Sequence, residues 1–100
     1  MMNKPYTPMP INTADVAIPE DITALATLLA RNTHDVWAAN RIAQGWTWGE
    51  ARNDTLKQTP CLVDFDDLTD EERAYDYDTS LETIKVMLKL GYRILPPEKA

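Results

Sequence analysis

A chain of 100 residues makes one domain with a core of modest size, and its formal net charge of −6 weighs against DNA or RNA as a partner, because an acidic chain repels polyphosphate at long range. The single cysteine, Cys61, cannot form an internal disulfide, so nothing points to an oxidising compartment. Residues Met1–Tyr6 lack the apolar segment of a secretory leader and no apolar run approaches the roughly 20 residues of a membrane span, so a cytoplasmic protein with no membrane partner is expected.

Residues 1–19 carry Pro5, Pro8, Pro10 and Pro19, which forbid helix and predict an extended arm laid over the domain, anchored by Tyr6, Val16 and Ile18. Pro19 suits the first turn of a helix, and Glu20 and Asp21 follow at the positive end of its dipole. That helix is predicted from about Pro19 to Gln44, with Gly45 as a left-handed stop. Ile22, Leu25, Leu29 and Val36 repeat at helical spacing and mark its buried face. The middle, Gly45–Phe65, is irregular. Trp46 and Trp48 alternate as in a short strand, Cys61–Val63 reads as a second extended piece, and a polar loop with Arg52, Asn53, Asp54 and Lys57 lies between them. Thr69-Asp-Glu-Glu72 has capping-box spacing and starts a short helix. Thr79-Ser-Leu-Glu82 repeats the signature and opens a last helix over about 80–90, with Leu81, Ile84 and Leu88 facing inward and Gly91 closing it. Tyr92–Ile94 suits a closing strand. The reading is a mainly α (α+β) domain: arm 1–19, domain 20–95, and a disordered tail from 96 to 100.

The stretch His34-Asp-Val-Trp-Ala-Ala-Asn-Arg41-Ile-Ala-Gln-Gly-Trp-Thr-Trp-Gly49 holds all three tryptophans, the only histidine and two of the three glycines. On a helix at about 100° per residue, Arg41 falls only about 20° from His34, with Trp37 one turn along and Arg31 one turn before. Arg31, His34, Trp37 and Arg41 then form a stripe offset from the Ile22/Leu29/Val36 face. It offers a flat aromatic surface, a titratable ring and fixed positive charge, which are parts for a planar group bearing an anion, such as a nucleotide. The plain alternative stays open: Trp37, Trp46 and Trp48 as core, His34 bonded to a buried carbonyl, and Arg41 paired with a carboxylate. Arg52 and Asn53 on the loop divide the same way, between closing over a phosphate and forming a turn.

The chain resembles the RyR domain, the repeat named after the ryanodine receptors and also found in small bacterial proteins. The resemblance is carried by Tyr6-Thr-Pro8-Met-Pro10, by Asn32-Thr-His34-Asp35-Val-Trp37-Ala38 with Arg41-Ile42, and by Gly45-Trp46-Thr-Trp48-Gly49. It extends through Arg52-Asn53-Asp54, Lys57, Pro60-Cys-Leu62-Val63, Glu72, Tyr75-Asp76, Thr79, Glu82 and Leu90-Gly91-Tyr92. Trp48 stands where the family more often has Tyr, and Asn53 where it has Asp. The resemblance implies two principal antiparallel helices with a short helix and short strands. It also implies adenine-type nucleotide at the helix bearing His34, Trp37 and Arg41. In the channels such units come as tandem pairs, so a homodimer of this single copy is expected. Arg31, Trp46, Trp48, Arg52 and Asn53 complete the expected ligand-binding set.

Other chemistry is weak. The acidic residues at 64–78 fail calcium-loop spacing: counted from Asp64, Leu68 stands at a ligand position, Thr69 at the turn glycine and Tyr75 at the bidentate glutamate. They read instead as a solvated, helix-capping face, with Asp76 anchoring a structural hydrogen bond. One histidine and one cysteine make a zinc site improbable, and Pro60 before Cys61 with Leu62-Val63 after it favours a buried, inert thiol over a nucleophile. The expectation is a non-enzymatic ligand-binding module without cofactor. A protein-interaction module with no small ligand is the alternative.

Overall fold

The computed structural model describes residues 5–98. Helix α1 spans Glu20–Ala43 and helix α2 spans Asp70–Lys89. Between them lie strands β1 (Thr47–Trp48) and β2 (Gln58–Thr59) and a 3-10 turn at Phe65–Asp67. Among the described residues no helix is long and apolar enough to cross a membrane.

The buried line of α1 is Ile22, Ala26, Ala30 and His34, a run of i+4 steps. This differs from the expected Ile22/Leu29/Val36 face: Val36 is exposed, and the two alanines take the inner positions. Alanine there lets the second helix approach closely. Ile22 and Ala26, near the start of α1, pack on Ile84 near the end of α2, with Leu25, Leu29, Tyr77, Leu81 and Leu88 around them. Further along α1, Ala30 packs with Phe65 and Leu68, with Cys61, Val63 and Tyr77 at the margin. The domain thus has an interhelical core at one end and a helix-on-loop core at the other. His34 stands at the second.

The arm crosses α2 through polar contacts. Thr13 is buried and donates its hydroxyl to Glu82 at 2.7 Å, and the Lys89 ammonium donates to Asp15 at 2.9 Å. Ile18 packs on the interhelical core, and Val16 is half-buried. Tyr6, expected as an anchor, is 85% exposed. Residues 1–4 of the arm and 99–100 of the tail lie outside the described residues.

The two helices expected from Thr69 and Thr79 are one continuous α2. Thr69 does form a full capping box: its hydroxyl accepts from the Glu72 amide, and the Glu72 carboxylate accepts from the Thr69 amide. Thr79 is no cap. Its hydroxyl donates back to the Tyr75 carbonyl at 2.7 Å inside the helix, which spends the side chain that would otherwise have started a new one. Thr69→Ala should destabilise the domain by about 1 kcal/mol in urea denaturation, whereas Thr79→Ala should change it by less than half as much. Equal costs for the two would mean that the cap contributes nothing special.

Both helices end the same way. Gly45 and Gly91 adopt positive φ (91° and 95°). After α1, the Gly45 amide bonds to Ile42 and the Trp46 amide to Arg41; after α2, the Gly91 amide bonds to Leu88 and the Tyr92 amide to Met87. This is the Schellman pattern. The Lys57 ammonium adds a bond to the free Gln44 carbonyl at 2.9 Å, a cation at the negative end of the helix.

Strand pairing differs from expectation. The partner of Thr47–Trp48 is Gln58–Thr59, and the pair is parallel. Asn53 and Gln58 form a small antiparallel bridge, and this curl brings the chain round to run alongside β1. Gly49 sits so close to Gln58 that a Cβ there would meet the Gln58 Cβ at 2.7 Å. Cys61–Val63 is a turn rather than a strand, and Tyr92–Ile94 pairs with nothing among the described residues.

Candidate functional site

His34 is 5% exposed, on the inner line of α1. Its Nε2 lies 2.7 Å from the Val63 carbonyl oxygen, which can only accept, so Nε2 carries a proton. The bond holds the loop before α2 against α1. The ring stacks on Trp37 (centroids 5.6 Å apart, planes at 27°) and meets the edge of Phe65 at 6.1 Å. Both bonding and packing therefore fix the imidazole.

An open cleft of about 540 Å³ lies against these residues. Thr33, His34 and Trp37 of α1 form one side, and Glu71, Glu72, Tyr75 and Asp76 of α2 form the other. Cys61 and Leu68 line it from the connecting segment. Two aromatic rings and a leucine give it apolar surface. Its charged lining is three carboxylates with no lysine or arginine.

Those carboxylates differ. Glu72 accepts from the Cys61 thiol and from Thr69, and these bonds hold its pKa below the ordinary glutamate value. Burial first, and then the neighbouring Glu72 carboxylate, push the Cys61 thiol up, which makes it a poor nucleophile. The Asp76 side chain has no hydrogen bond among the described residues, so the structural bond expected of it is not made. Its pKa is raised, chiefly by desolvation. The acidic run is thus only partly a solvated face: Glu72 and Asp76 are half-buried in the cleft wall. The signal was present, since residues 72, 75 and 76 share one helix face, but the direction in which that face turns is set by the packing of α2 on α1 and not by local sequence.

The expected stripe is divided. His34 and Trp37 line the cleft. Arg31 does not: its guanidinium pairs with Asp66 and covers Phe65 at 5.0 Å from the ring centroid. Arg41 lies 4.8 Å from the Trp46 centroid and 5.8 Å from that of Trp37, and has no carboxylate partner among the described residues. Here the Schellman turn acts on the site, because the left-handed Gly45 folds Trp46 back onto Arg41. Arg52 covers the same indole at 5.7 Å and bonds Asp54 at 2.8 Å. Asn53 accepts from the Leu56 amide and shapes the turn. Trp48 is 52% exposed on β1, outside the cleft. Among the described residues no three acidic, thiol or imidazole groups converge to hold a metal ion.

The geometry defines a two-helix module with a cleft between its helices and, beside it, a guanidinium near the rings of two indoles. The chain belongs to the RyR domain family: the RyR domain model matches residues 6–96.

Proposed function

We propose that this domain is a non-enzymatic, cytoplasmic binding module for a nucleotide, of the adenine type that the family resemblance suggests. The observation that carries the reading is Arg41. Among the described residues it is a cation without a carboxylate partner, and it lies over the Trp37 ring that also walls the cleft. A purine fits the apolar part of the cleft against Trp37 and Tyr75, where stacking is worth about 1–3 kcal/mol. The three carboxylates keep phosphate out of the cleft, so the phosphate emerges past Trp37 and meets Arg41; Arg52, over the same Trp46 ring but paired with Asp54, joins only by giving up that partner. Arg31 drops out of the binding set, being committed to Asp66. One stack and one or two charged contacts give an affinity of roughly micromolar to millimolar.

Calorimetric titration with adenosine, AMP and ATP tests this. Arg41→Ala, with its fold checked by circular dichroism, should weaken AMP and ATP by roughly 10- to 100-fold, the worth of a charge-assisted hydrogen bond. Adenosine should be bound about equally by both proteins. A mutant that binds AMP as wild type does removes Arg41 from the site. No heat with any of the three favours the second reading, a protein-interaction module or homodimer. That reading draws on Leu28, Val36 and Ile42, which stand exposed along α1.

A further inference from the structure

We infer that the cleft reads an exocyclic amine on the purine, and that Asp76 is the residue that reads it; the inference rests on the nucleotide reading above. A carboxylate offers only acceptors, so the polar edge of the cleft is matched by a ligand edge that presents N–H groups and is mismatched by a carbonyl. Of the three carboxylates, Glu72 already accepts from Cys61 and Thr69. Glu71, in the first turn of α2, is exposed at the margin of the cleft. Asp76 is half-buried, lines the cleft, and its carboxylate makes no hydrogen bond to any described residue. It lies one turn beyond Glu72 on α2, facing the α1 side where His34 and Trp37 stand. A base stacked on Trp37 turns its edge toward that carboxylate. An amino group there donates to Asp76 and relieves its desolvation. A carbonyl oxygen at the same place sets two acceptors against each other, and both are left unpaired.

Three nucleotides with the same ribose phosphate separate the outcomes. AMP carries a 6-amino group, GMP a 2-amino group, and IMP neither. In calorimetry with the full chain, AMP or GMP should bind at least about tenfold more tightly than IMP, the usual scale for a polar group left unpaired. Asp76→Asn keeps the shape of the side chain but supplies a donor as well as an acceptor, so the amide can turn to suit either edge. It should bring IMP to within about twofold of the amino nucleotides. Adenosine against inosine gives the same comparison without the phosphate and its contact with Arg41. Equal binding of IMP and the amino nucleotides by the wild type overturns the amine reading and leaves the nucleotide reading standing. Discrimination that survives in a folded Asp76→Asn overturns the role of Asp76. Binding of none of the nucleotides or nucleosides overturns both readings together.

Discussion

Ile84→Ala should cost about 3–4 kcal/mol of folding free energy, the middle of the range for large-to-small changes in a closed core. Ile84 is fully buried, at 0% exposure, and is the only large side chain so enclosed among the described residues. It sits against Ile22 and Ala26, with Leu25, Leu29, Tyr77, Leu81 and Leu88 around it. Ala26 cannot extend into the space that the truncation leaves, and the ring of leucines belongs to two helices whose backbones are held by their own hydrogen bonds. The hole therefore persists, and its cavity cost adds to the lost transfer energy. A domain of this size holds only about 5–10 kcal/mol in total, so the variant should melt roughly 12–30 °C lower. Urea denaturation followed by helical circular dichroism measures it. A loss below about 1 kcal/mol with an unchanged slope would mean that the helices do not depend on this contact. Ile84→Val, which removes one methyl group, should cost about 1 kcal/mol and keeps the test readable if the alanine variant does not fold.

The same packing explains what was legible in the sequence. Helix α1 and both glycine stops can be read from local chemistry, because capping and left-handed turns are decided within a few residues. The unity of α2 is not local. The run Asp76-Tyr-Asp-Thr-Ser80 favours caps and turns over helix interior. It is helical because Tyr77 and Ile84 pack on α1 and Ser80 is buried between them in sequence, so burial outweighs propensity. The parallel pairing of Thr47–Trp48 with Gln58–Thr59 was equally hidden. A connection this short normally makes a hairpin, and only the Asn53–Gln58 curl allows the parallel arrangement.

Of the cleft, one wall was legible. The spacing of His34, Trp37 and Arg41 is a property of one helix, and one helix can be read alone. The opposite wall was misjudged for two connected reasons. A charge run taken as solvated hides its inward members, and the facing of Glu72 and Asp76 depends on where α2 lies against α1. Arg31 does not line the cleft, and its partner, Asp66, comes from a turn 35 residues away. Helical spacing says which side chains are neighbours on one surface. It does not say which of them a distant carboxylate will capture.

Phe65→Ala should cost about 3–5 kcal/mol, and its consequence should reach the cleft. Phe65 lies in the 3-10 turn that joins the loop to α2 and is nearly buried. It packs on Ala30, lies under the Arg31 guanidinium and presents its ring to His34 at 6.1 Å. The Arg73 guanidinium holds the same turn through the Asp66 carbonyl at 2.9 Å. Removing the ring leaves this turn held by polar contacts at the surface, which are individually weak. The bond from His34 Nε2 to Val63 then loses the packing that excludes water from it. Because His34 is the only histidine, its ring N–H gives a single nuclear magnetic resonance signal. In the wild type that proton should exchange slowly with solvent. In Phe65→Ala, under conditions where the domain is still folded, it should exchange too fast to observe. Ile84→Ala, which weakens the other core, should leave the proton visible in its folded population. An exchange rate unaltered by loss of Phe65 would show that the helix-on-loop core does not hold His34. The cleft wall would then have to be held by the Val63 bond and the Trp37 stack alone.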